Sequence, residues 1–197
     1  MINSGIDNSN AERIRQGKEM LDRSARRFAH VISRILYWGV EREFVPLKIN
    51  PVETAREVID SFQESFAQAK IILHPAFNEV GFVNAQPSAI SALLTNLLDS
   101  HLEMCRISGK KECSIHFEIK KDNEKLFFIV SDNSGFLSEE DIQVLMKHSF
   151  ASEGKEILEL NYYIINHIAE LHGGTFTIQI SDEGKTLFSI VTIPLLK

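Results

Sequence analysis

Cysteine is almost absent, since the 197 residues contain only Cys105 and Cys113. Two such residues set up neither a disulfide framework nor a metal-ligand pattern. They are expected as buried or spectator thiols, with a reducing cytoplasm as the simplest setting. A surplus of positive charge is missing too: 21 Lys and Arg stand against 27 Asp and Glu, for a net charge of -6. That balance argues against a general nucleic-acid or membrane-surface binder, and a polyanionic ligand would have to be met by local cations. Long apolar runs are also lacking, for a stretch such as Leu126 to Val130 falls far short of the roughly 20 residues that cross a bilayer. The opening residues Met-Ile-Asn-Ser-Gly-Ile-Asp have no basic segment leading into an apolar one, so no signal peptide is expected. There is no low-complexity tract and no internal repeat.

What is present reads as alternating helices and strands. From about Asn10 to Arg42 the chain has no proline and is rich in helix formers. Phe28, Val31, Ile32, Ile35 and Leu36 give that helix an apolar stripe at three- and four-residue spacing. A single helix buries little alone, so the stripe calls for a second copy of the chain or a partner helix. Residues 43–50, containing Pro46 just after Phe44 and Val45, read as an extended linker, and Pro51 opens a helix running to about Lys70. Short strands are expected near Lys70–Leu73 and Gly81–Val83, around a loop containing Pro75. Ser88 to Ile107 carries Ile90, Leu93, Leu94, Leu97, Leu98 and His101 on one helical face. Two alternating runs around Asp122 form a hairpin, and two more around Asp182 form another. Between them lie a short capped helix after Ser138 and a helix from about Ile157 to His172, stopped by Gly173-Gly174. The expected fold is α+β, a two-layer α/β sandwich preceded by a long helix. Its segments are a dimerisation-type helix at 1–42, a linker at 43–50 and the sandwich domain at 51–197.

Three local patterns, in this order, resemble the ATPase superfamily shared by histidine kinases, gyrase-type topoisomerases and Hsp90 chaperones. Leu93-Leu-Thr-Asn-Leu-Leu-Asp-Ser is similar to the asparagine box. Val130-Ser-Asp-Asn-Ser-Gly-Phe-Leu is similar to the first glycine box, and Tyr163-Ile-Ile-Asn-His-Ile-Ala-Glu-Leu-His-Gly-Gly to the helix after the ATP lid. The likeness is strongest to histidine kinases. It implies a two-component signalling protein, an ATP pocket with Mg²⁺, and a second dimerisation helix leading into the linker.

Residue by residue, the resemblance implies a pocket short of its usual groups. The metal-binding asparagine falls on Ser100, whose shorter hydroxyl would not reach the same point of an octahedral Mg²⁺ shell. Asn96 matches one turn earlier on the same face. The basic position facing phosphate is Glu103. Asp132, the residue that would accept the adenine amino group, is kept, as is Asn133, but two pocket glycines fall on Ser134 and Phe136. A shift using Gly135 would restore one glycine but not both. The lid glycines fall on Ile157, Glu159 and Asn161, where relatives offer backbone N–H groups to phosphate. Like charges about 4 Å apart cost roughly 4 kcal/mol at an effective dielectric near 20, so Glu103 and Glu159 oppose a polyphosphate. Lys110, Lys111 and Lys155 are the cations at hand to offset them.

Asn96, Ser100, Asp132 and Asn133 therefore form the candidate nucleotide pocket, with no catalytic or metal residue assigned. His30 invites reading as a phosphoacceptor, but the linker follows too soon for a second antiparallel helix, so it is expected as a flank residue. His101 and His172 are expected to be packing residues, and His74, His116, His148 and His167 show no metal-ligand spacing. The leading expectation is a histidine-kinase-like module that has lost ATP binding and works through protein contacts with a kinase or response regulator. A divergent but active kinase domain binding ATP is the alternative, and an ATP-independent phosphotransferase using His30 is a third.

Overall fold

The computed structural model describes residues 14–18, 20, 44–122, 124–147, 155–181 and 185–195. The chain divides into two units, Met1–Glu43 and Phe44–Lys197. In the first, residues 14–18 and 20 are helical. The stripe Phe28, Val31, Ile32, Ile35 and Leu36, together with His30, lies outside the described residues, as do His148 and residues 149–154.

In the second unit, strand β1 (Leu47–Ile49) leads into helix α1 (Pro51–Ala69). Asn50 caps α1, its side chain accepting from the Val52 N–H at 3.1 Å, and Pro51 sits where its missing N–H costs nothing. Then come β2 (Ile72–Phe77), β3 (Val83–Ala85) and helix α2 (Pro87–Ser108), which Gly109 ends at φ 64°. The hairpin β4 (Ser114–Lys121) and β5 (Lys125–Asp132) follows. Helix α3 (Glu139–Leu145) starts in a reciprocal capping box between Ser138 and Asp141. Helix α4 (Glu156–Leu171) and the hairpin β6 (Thr175–Ile180) and β7 (Leu187–Pro194) complete the unit.

Five strands form one mixed sheet in the order β2-β4-β5-β7-β6, with β2 parallel to β4 and the other pairs antiparallel. Alternation along the strands decides which face is covered. Ile115, Phe117 and Ile119 of β4, and Leu126, Phe128 and Val130 of β5, are buried beneath the helices. His116 between them is exposed. Helix α2 packs against both α1 and α4, and its Leu93, Leu94, Leu97 and Leu98 are all 0% exposed. This is the α+β sandwich expected, with a helical layer on a mixed sheet. Among the described residues no helix is long and apolar enough to cross a membrane.

Three expectations need correction. Pro75 lies inside β2, not in a loop, because β2 is an edge strand and one side of its ladder has no partner to bond. The linker is partly a strand: Leu47–Ile49 pairs antiparallel with Val83–Ala85, two residues beyond the position expected for the second short strand. The cysteines are not separate thiols. Cys105 in the last turn of α2 and Cys113 just before β4 are joined as a disulfide, their Cα atoms 5.7 Å apart. The turn at Gly109 folds the chain back and brings the two together, and the argument for a reducing compartment from unpaired thiols falls with that pairing.

Candidate functional site

Of the sequence-predicted pocket, Asn96 and Ser100 on α2 and Asp132 on β5 are buried while Asn133 is partly buried, and His101 on α2 and Glu159 and Asn161 at the start of α4 are buried as well. Buried polar groups need partners, so each can be asked where its hydrogen bonds go.

Asp132 ends β5 and is 1% exposed. One carboxylate oxygen lies 2.5 Å from Nδ1 of His101, and the other accepts the Ser134 N–H at 2.7 Å. Burial opposes the charged carboxylate, but the hydrogen bond and charge of His101, with Ser134, outweigh it and hold the acid below the ordinary aspartate range. The negative charge is thus fixed inside the protein. Burial, with the Asp132 charge added, pushes the Tyr162 hydroxyl well above its ordinary value.

The asparagine-box residues turn back on their own helix. Ser100 is 0% exposed and donates to the Leu97 carbonyl at 2.8 Å. Asn96 donates to the Ala92 carbonyl at 2.7 Å, leaving Oδ1 buried without a hydrogen bond among the described residues. Asn133 is a clip. It accepts from the Ser114 N–H and donates to the Glu112 carbonyl, tying the glycine loop to the segment before β4.

The loop after β5 keeps one turn glycine, Gly135 at φ 61°, where an L side chain would be strained. Phe136 follows it, partly buried against the core, with the Lys155 ammonium 5.8 Å from its ring centroid. Lys155 also pairs with Asp141, whose carboxyl it lowers first by hydrogen bonding, with the Ser138 N–H adding. Lys110 donates to the Asn133 carbonyl at 2.6 Å. Two of the three cations expected to meet phosphate are therefore engaged.

At the lid positions α4 has already begun. The Glu159 N–H donates to the Lys155 carbonyl at 3.0 Å, so it serves the helix. Glu159 and Asn161 are 0% exposed, and Asn161 donates to Asp99 of α2 at 3.1 Å. Glu103 stands half-exposed on α2, 4.0 Å from Arg106. A cleft of about 590 Å³ beside the loop is lined by Gly135, Phe136, Ser138, Asp141 and Ile180, but not by Asn96, Ser100 or Asp132.

The sequence reading missed His101 as the partner of Asp132. A signal was there: an imidazole in a stripe of leucines must be buried, and a buried imidazole needs a polar partner.

A family model described as histidine kinase-, DNA gyrase B- and HSP90-like ATPase matches residues 85–197. No curated protein matches the chain. Among solved structures, the nucleotide-free catalytic domain of the histidine kinase ThkA is 23% identical, with a TM-score of 0.64 over 78% of this chain and 98% of that one. The Acinetobacter baumannii histidine kinase AdeS covers the whole chain, and 92% of AdeS is covered, at 13% identity and a TM-score of 0.69. ThkA in complex with the response regulator TrrA aligns over 94% of this chain and 51% of that one, at 21% identity and a TM-score of 0.71. At these identities the structures show the fold.

Proposed function

Since the chain belongs to the histidine kinase-, DNA gyrase B- and HSP90-like ATPase family, we propose that it serves two-component signalling as a histidine-kinase-like module that acts by protein contact without holding Mg-ATP tightly. The observation that carries this reading is the buried Asp132–His101 pair. To recognise adenine, the Asp132 carboxylate would have to give up its hydrogen bond with His101, worth about 1.5–3 kcal/mol because the carboxylate is ionised. That is roughly 10- to 150-fold in affinity.

The phosphate end fits the group no better. The Ser100 hydroxyl is turned to its own helix, and the Glu159 N–H is spent inside α4. Octahedral Mg²⁺ needs accessible hard oxygens, and a phosphate cradle needs free N–H groups. The described residues do not offer that set, and no catalytic step is derived through the nucleotide.

The partner class we favour is another two-component protein, a kinase or a response regulator. The likeness to a kinase held with its response regulator supports this choice. The stripe Phe28, Val31, Ile32, Ile35 and Leu36 is the segment we assign to homodimer or partner-helix contact. We place the module in the cytoplasm on the same grounds, as a proposal.

Isothermal titration of the purified chain with Mg-ATP tests the reading. No binding at micromolar concentrations is expected, and His101→Ala, which releases Asp132, should improve whatever weak affinity exists. A micromolar or tighter Kd for the unaltered chain would overturn the proposal and restore the divergent-kinase reading.

A further inference from the structure

The disulfide is no isolated staple. It lies against the same Asp132 carboxylate that His101 engages. The sulfur atoms of Cys105 and Cys113 and a carboxylate oxygen of Asp132 all lie within 4.8 Å of one another. Both cysteines are 3% exposed and Asp132 is 1% exposed. His101 stands one helical turn before Cys105 on α2, on the same face, with Nδ1 2.5 Å from Asp132. Its Nε2 is buried with no hydrogen-bond partner among the described residues. Three separate chain segments, α2, the lead into β4 and the end of β5, thus bring two sulfurs and a carboxylate oxygen to one buried point, with the His101 imidazole hydrogen-bonded to that carboxylate.

We propose that, when the disulfide is reduced, Cys105, Cys113 and Asp132 bind a borderline-soft divalent cation of the Zn²⁺ class, with His101 holding the carboxylate from behind and solvent completing the shell. The donor set selects the ion: paired thiolates favour Zn²⁺-like metals, whereas Mg²⁺ wants oxygen alone. The geometry is within reach. With metal–sulfur bonds of about 2.3 Å and metal–oxygen or metal–nitrogen bonds of about 2.0 Å, ligand atoms of a tetrahedral site stand roughly 3.3–3.8 Å apart. Once the sulfur–sulfur bond is open, the sulfurs separate to non-bonded contact, which is that spacing.

The chemistry balances. A phosphine takes the oxygen of one water and becomes the phosphine oxide, while its two electrons and the two water protons convert the disulfide into two thiols. The divalent cation then displaces both thiol protons to solvent. Two thiolates, one carboxylate and one dication leave a single negative charge at the site. The site does not depend on whether ATP binds, because its readout is the metal–thiolate bond.

The test reduces the full chain with a water-soluble phosphine, removes the phosphine under anaerobic conditions, and titrates Co²⁺ as a coloured stand-in. One equivalent should bind with an intense thiolate-to-cobalt charge-transfer band that Zn²⁺ abolishes, and the oxidised chain should show no band. Cys113→Ser should lose the band, and Asp132→Asn should keep thiolate absorption while weakening affinity at least tenfold. A reduced chain without the band would overturn the proposal, as would a band that persists in Cys113→Ser. Because a variant can fail to fold, the oxidised-against-reduced comparison on the unaltered chain decides alone, with far-UV circular dichroism confirming that both are folded.

Discussion

Two buried histidines mark opposite ends of the sheet, and they are held very differently. Along β7, Leu187 pairs with Asp132 near His101, while Ile193 and Pro194 at the other end line the pocket around His172. His172 has both ring nitrogens satisfied: Nδ1 donates to the Ile168 carbonyl at 2.8 Å and Nε2 accepts from the Gln86 N–H at 3.2 Å. Phe44 meets it edge-on with ring centroids 5.0 Å apart. His101 has one nitrogen on a buried carboxylate, the other without a partner among the described residues, and a disulfide beside that carboxylate. A fully satisfied imidazole holds architecture together. One that shares a buried charge and keeps a vacant nitrogen is where chemistry can happen.

The sharpest way to break the framework end is Gly174→Ala. An added Cβ would stand 2.0 Å from the Thr192 carbonyl oxygen, which is backbone and cannot swing away. The strand pairing of β6 with β7 begins at Thr175 and Thr192, so the clash would pry the hairpin open. A loss of about 3 kcal/mol or more is expected from urea unfolding, at the upper end for overpacking. At the pocket end Asp132→Ala should cost less, about 2 kcal/mol, because it removes the hydrogen bonds to His101 and Ser134 without forcing a backbone clash. If Asp132→Ala proves the costlier of the two, the division into architectural and chemical ends is wrong.

The framework was legible because apolar spacing reports burial directly. Leu93, Leu94, Leu97 and Leu98 announce a covered helix face, and Ile115, Phe117 and Ile119 a covered strand face. Pro75 and the Leu47–Ile49 strand were not, since edge pairing depends on which segment happens to lie alongside. In the candidate pocket, the sequence names the groups Asn96, Ser100, Asp132 and Asn133 but not their bonds. A sequence position tells which group is present, not whether Ser100 turns to its own Leu97 carbonyl or whether Asn133 ties a loop to Ser114. His101 passed as packing because its neighbours on the helix are leucines. The cysteine pairing depended on the tight return of the chain at Gly109, which sequence spacing does not reveal.

The smallest effect separates the two ends by pH. Burial lowers the His172 imidazole below its ordinary value, partly opposed by the Ile168 carbonyl. The folded state therefore binds fewer protons than the unfolded chain near that value, so stability is full above pH 6.5 and declines as pH falls through it. Protonation would set an Nε2–H against the Gln86 N–H, which has no lone pair to accept it. Asp132, also lowered, acts in a more acidic window. Its contribution is present above the ordinary aspartate value of 3.8 and is lost as pH falls below that. Unfolding free energies measured from pH 8 to pH 3 should show His172→Gln flattening the decline around pH 6, by on the order of 1 kcal/mol. Asp132→Asn should flatten only the acidic part. His167, lowered chiefly by its own burial, adds to the first window and persists in both variants, so the differences between curves carry the result. Equal flattening of both windows by either variant would mean that the two ends titrate as one unit, against the separation drawn from their hydrogen bonds.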